Sequence, residues 1–229
     1  ASYGTVSVVG DFDATEIAAL AKTLCGSWKS AQPYVRVTEQ YSKEKPANRQ
    51  FDTPDKPNAM VMAGLNINMD DDHADYAAMM LGNYVIGGSA NSRLFNRLRQ
   101  KEGFSYGAGS QLAVQTKSTG GAFVTYAILA AENITKVEAS LKDEFSKILK
   151  DGLSPEEIES AKKAWKQELQ LQRSQDGSLR SMIVSDDFYG RTMKWRADLE
   201  GKADSLTAAQ VNAALQKHLS IDNLTIIKA

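Results

Sequence analysis

The chain has 229 residues with 27 basic and 28 acidic side chains, a formal net charge of −1. That balance offers no basic stripe for nucleic acid and no charge block for a membrane surface. Hydrophobic content of 42% and charged content of 24% are those of an ordinary packed chain, no apolar run approaches the roughly 20 residues that span a bilayer, and a single cysteine, Cys25, excludes an internal disulfide or a cysteine-based zinc site.

In chain order, the apolar run Tyr3 to Val9 reads as a buried strand and Gly10-Asp11-Phe12-Asp13 as the turn after it. Beginning directly on such a run, with neither an initiator Met nor a leader, suggests a piece cut from a longer polypeptide. Asp13 or Thr15 caps a helix to about Leu24, with Ile17, Leu20, Ala21 and Leu24 on its inner face. Residues 26–57 are polar and carry four prolines, with short extended pieces at 34–38 and around 48–51. Asn58 to Ile67 is the central strand. His73 to Ile86 is a helix whose Met79 and Met80 are core rather than a binding groove.

Gly87 and Gly88 break that helix, and Ser89, Asn91 or Ser92 caps the next, with Leu94, Phe95 and Leu98 on one apolar face and Arg93, Arg97 and Arg99 on its polar flanks. Gly103 supplies a left-handed stop. Two long strands, 106–115 and 121–129, form a hairpin through Thr116 to Gly120. Helices follow at 133–150, from Ser154-Pro155-Glu156-Glu157 past Leu171, at 178–187, 189–200 and 207–219, and Asn223 to Ile227 closes the chain as a strand. The expected fold is α+β: one mostly antiparallel sheet with helices on one face, in a single domain over residues 1–229.

The chemistry-bearing residues are few. His73 and His218 are the only histidines, far apart in sequence and without a partner at metal-ligand spacing. Acids Asp70, Asp71, Asp72 and Asp75 around His73 favour a helix N-terminus and do not fit a calcium loop. His218 reads as a solvated cation at a helix C-terminus, and Cys25 as a small core residue. Gly87 to Asn91 could bind an anion through backbone N–H groups but lacks the flanking pattern of a phosphate loop. Arg99 at a helix end and Tyr106 on the next strand are two donors that could converge; their simpler reading is a dipole-favoured cation and a packed strand tyrosine.

The run Leu81-Gly82-Asn83-Tyr84-Val85-Ile86-Gly87-Gly88-Ser89-Ala90-Asn91-Ser92-Arg93-Leu94-Phe95, continued by Leu98-Arg99-Gln100-Lys101-Glu102-Gly103-Phe104-Ser105-Tyr106, closely resembles the pitrilysin/insulinase family of zinc peptidases. The likeness is to that family's second, metal-free half. Val8 to Asp13, Leu153 to Glu157 with Ala161-Lys162, and Leu206-Thr207 with Asn223 to Thr225 resemble that half's opening strand, long helix and closing elements, in the same order.

What the resemblance implies is an enzyme of two halves closed like a clamshell, zinc being held by His-x-x-Glu-His in the other half. The zinc motif is absent from this chain, so no cofactor is expected here. Zinc would reside in a homologous partner half, fused or separate, acting on a peptide substrate. By the same resemblance Arg99 and Tyr106 reach across as donors to the peptide carbonyl, where preorganised donors lower the barrier as an oxyanion develops. The resemblance is compatible with a periplasmic or otherwise exported parent whose signal would lie upstream of residue 1. The alternative is a catalytically silent structural or peptide-binding homologue.

Overall fold

The computed structural model describes residues 3–52 and 54–229. The chain forms two compact units, one of Ala1–Val37 with Trp165–Gly201 and one of Thr38–Ala164 with Lys202–Ala229.

The second unit holds the sheet. Its strands are β1 (Asn48–Gln50), β2 (Asn58–Asn68), β3 (Ser105–Gln115), β4 (Ser118–Ala130) and β5 (Thr225–Lys228), in the spatial order β1-β5-β2-β4-β3. All neighbours are antiparallel except β1 and β5, which run parallel at one edge. The fold is thus α+β, with a five-stranded mixed sheet.

Alternation along β2 and β4 sorts side chains onto two faces. One face points Val61, Ala63, Phe123, Ala127 and Leu129 into the core, each at 1% exposure or less. Helix α4 (Ile134–Asp151) lies against it through Val137, Leu141, Phe145 and Ile148. The Phe123 and Phe145 rings meet edge to face, 5.7 Å between centroids. Burying each such large side chain contributes about 1.5–3 kcal/mol. The one polar group among these strand residues, Thr125, is satisfied by donating to Ala63 O at 3.0 Å. Helices α2 (Tyr76–Asn83) and α8 (Ala208–His218) pack closely, and a Cβ on Gly82 would stand 2.7 Å from Leu215 Cδ2. Gly82 is small because α8 occupies its space.

The other face stays open. Met60, Met62, Tyr126, Ile128 and Ile227 line it, each between 37% and 40% exposed.

In the first unit, α1 (Ala14–Cys25) begins at Asp13, whose carboxylate accepts from the N–H groups of Thr15 and Glu16. Helices α6 (Asp176–Phe188) and α7 (Met193–Ser205) follow α5 (Pro155–Arg173). Three expectations fail here. Residues 3–9 form no strand, and Val6 is 61% exposed. An alternating apolar run supplies strand propensity only, and this one pairs with no ladder among the described residues. Helix α1 buries none of its residues, Leu20 and Leu24 included, and Cys25 is half-buried rather than core.

Candidate functional site

The stretch between α2 and β3 is built from unusually wide turns. After Asn83 the helix widens into a π turn over Tyr84–Gly88 instead of ending. The chain then re-enters helix as α3 (Arg93–Phe95), which widens again into a π turn over Asn96–Lys101. The Glu102 N–H closes that turn on Arg97 O at 3.0 Å, five residues back. Ser92 is the N-cap, yet its side chain makes no capping bond. Leu94 and Leu98, both 1% exposed, anchor the segment in the core.

The glycines are required for closeness. A Cβ on Gly87 would stand 2.2 Å from the Ser110 backbone nitrogen, so only glycine lets the first π turn lie on β3. Ser110 Oγ in turn donates to Asn83 Oδ1 at 2.8 Å. Gly103, at φ +65°, turns the chain out of the second π turn and into β3.

Three arginines leave this segment, and they fare differently. Arg93 makes a forked pair with Glu157, Nε to Oε1 at 2.6 Å and Nη2 to Oε2 at 2.7 Å, and donates to Gly152 O. Glu157 also accepts from the Ser154 N–H at 2.8 Å, while Ser154 Oγ accepts from the Glu157 N–H at 3.2 Å, a reciprocal cap on α5. Burial pushes the Glu157 carboxyl up, but the Arg93 guanidinium outweighs it and holds the group below the usual carboxylate range. Arg97 donates to Glu102 and Glu144, each at 3.0 Å, and pairs with Asp143 at 2.6 Å. Burial opposes its charge, and the three carboxylates more than restore it.

Arg99 is exposed and has no hydrogen-bond or ion-pair partner among the described residues. Its guanidinium carbon stands 5.1 Å over the Phe95 ring. Tyr106, 57% exposed, lies where β3 slips register against β4. Ser105 opposes Leu129 and Gly107 opposes Ile128, so Tyr106 is the extra residue of a β-bulge. Bulges re-aim a side chain at the rim of a sheet. Tyr106 directly precedes the residue that opposes Ile128 of the open apolar face, and its hydroxyl too lacks a partner among the described residues.

Elsewhere in the same unit the structure assembles a group that sequence spacing missed. His73, Asp75 and His218 come together with their ligating atoms within 4.8 Å of one another. His218, expected to be solvated, has a side chain only 10% exposed and its Nε2 lies 2.8 Å from Asp75 Oδ2. Lys217 donates to the same oxygen at 2.6 Å, and that bond holds the Asp75 carboxyl below its usual range. Only the packing of α8 on α2 brings these residues together, and no local pattern encodes it. None of this resembles a catalytic zinc site. The sequence has no His-x-x-Glu-His, and the cluster has no carboxylate free to act as a base.

Residues 1–165 match the family model described as the peptidase M16 inactive domain. Among solved structures, the peptidase M16 inactive domain from Pseudomonas fluorescens superposes with a TM-score of 0.80 at 25% identity, covering 96% of this chain and 51% of that one. A protease from Helicobacter pylori gives 0.81 at 15% identity, covering 96% and 53%. The periplasmic protease PqqL from Escherichia coli gives 0.68 at 18%, covering 96% and 24%. The chain therefore spans about half the length of the first two and about a quarter of the third, and the two at lower identity speak for the fold alone.

Proposed function

The chain belongs to the peptidase M16 inactive-domain family, and from that premise we propose that it is the metal-free half of a zinc peptidase, forming one wall of the substrate chamber. The open sheet face of Met60, Met62, Tyr126, Ile128 and Ile227 offers an apolar surface for an extended peptide. Zinc held by a partner half would supply the Lewis acid and the activated water. This chain's own contribution is two donors, Arg99 and Tyr106, directed at the carbonyl oxygen on which charge develops. The Arg99 guanidinium carries several N–H donors in a fixed fork, and the Tyr106 hydroxyl adds one O–H donor.

The observation that carries this reading is selective freedom. Arg93 and Arg97 are locked by carboxylates, whereas Arg99 and the bulged Tyr106 are left exposed without polar partners among the described residues. A cation stacked on the Phe95 ring with its donors unused is available to a ligand.

Complementation tests the proposal. The chain alone should show no peptidase activity, and the parent enzyme, with its zinc half present, should lose turnover when the chain is omitted. Activity that persists undiminished without this chain would contradict the reading and favour a silent scaffold.

A further inference from the structure

We propose that His73, Asp75 and His218 form a second, non-catalytic binding site for a divalent transition-metal cation of the zinc type. It is the only group of three or more His, Cys, Asp or Glu side chains among the described residues close enough to share an ion. Two imidazoles and one carboxylate suit zinc, nickel or copper, and not calcium or magnesium, which take oxygen ligands. Three protein ligands with water completing the shell is a regular coordination for zinc. With metal–ligand distances of about 2.0–2.2 Å, an ion draws the three donors together from their present spread of up to 4.8 Å. The pair already 2.8 Å apart, His218 Nε2 and Asp75 Oδ2, would open slightly to admit the ion.

Two contacts now occupy the donor atoms, and both can yield. Lys217 Nζ holds Asp75 Oδ2, but its side chain is 62% exposed and can swing into water. The Asp75 N–H donates to His73 Nδ1 at 3.0 Å, so a cation bound at Nδ1 displaces that hydrogen bond and turns the amide to water. The two imidazole rings stand edge to face, 5.3 Å between centroids and 82° between planes.

The consequence follows from where the ligands are mounted. His73 and Asp75 precede α2, and His218 ends α8. An ion there ties together the helices already packed through Gly82 and Leu215. A ligand that binds the folded chain and not the unfolded one stabilises it by mass action, so thermal stability should rise with metal concentration. The site does not rest on the roles given to Arg99 and Tyr106.

The test uses the chain without a histidine tag, stripped with chelator and titrated with zinc chloride by calorimetry and thermal melting. One equivalent should bind and raise the melting temperature, while magnesium and calcium chlorides leave it unchanged. His73→Ala and His218→Ala should each weaken zinc binding by at least about tenfold, the scale seen when support for a metal ligand is removed. Lys217→Ala, which removes the competitor, should tighten it. Because the chain has only two histidines, proton NMR of their rings gives a readout that needs no variant: both sets of resonances should shift with stoichiometric zinc. No binding, or binding in which neither histidine resonance moves, overturns the proposal. So does binding that survives both histidine variants but is lost on replacing Asp70 and Asp71.

Discussion

Arg93 and Arg97 differ from Arg99 in what surrounds them, not in chemistry. All three leave one short, twice-widened helical segment. Arg93 is committed to Glu157 and the cap of α5, and Arg97 to three carboxylates from α4 and its own turn. Arg99 has an aromatic ring beneath it and, among the described residues, no anion. The first two hold the segment to the helix layer; the third is held by the same segment and has its donors to spare. A fold can therefore present a cation without pairing it, provided its neighbours carry the structural load.

That contrast predicts opposite signatures. In the parent enzyme Arg99→Ala should lower turnover by about 10²–10³, the usual result of removing one transition-state donor. Tyr106→Phe, which deletes only the hydroxyl, should fall in the same direction. In both variants the melting temperature of this chain should stay within about 2 °C of the parent, since exposed groups without partners contribute little stability.

Arg97→Ala should invert the pattern. It takes from Glu144, only 12% exposed, the nearer of its two cations, leaving Arg93 at 3.6 Å, and should cost about 1–3 kcal/mol in urea unfolding, the range for hydrogen bonds to charged groups. Any loss of turnover should scale with unfolding and recover on cooling. Gly87→Ala attacks the platform itself. A methyl 2.2 Å from the Ser110 nitrogen forces the π turn off β3 and should cost about 1–3 kcal/mol, lowering activity through displacement of Arg99.

The smallest effect expected is at Glu138, a locked group remote from the proposed donors. Burial raises its pKa, but Lys142, Lys228 and Asn48 together hold it down to about 2 against an ordinary 4.5. A depressed carboxyl contributes stability that is present above the ordinary value and is lost as pH falls through the folded one. Glu138→Gln should therefore flatten the decline of urea stability between about pH 4.5 and 2, leaving turnover at neutral pH unchanged.

Legibility in the sequence followed the range of the interaction. The hairpin, α4 and the Ser154-Pro155-Glu156-Glu157 start of α5 were readable because alternation, helical periodicity and capping act over a few residues. The π turns were not. Gly87 and Gly88 look like a helix stop, and only the approach to Ser110 explains why the helix widens there. Residues 3–9 carry a strand's pattern without a strand's partner. The parallel β1–β5 edge joins the two ends of a unit and has no local signature. The family motif singled out Arg99 and Tyr106 as the donors proposed here, but three arginines of one chemistry gave no sign that two were taken. The bulge at Tyr106 was equally silent, because it exists only in the register with β4.

Whether the unpaired guanidinium acts on substrate is measured most directly by comparing kcat and melting temperature for Arg99→Ala and Arg97→Ala in the parent enzyme. Turnover lost at constant stability for the first, and stability lost ahead of turnover for the second, is the predicted result. Full turnover in a folded Arg99→Ala enzyme would contradict the account.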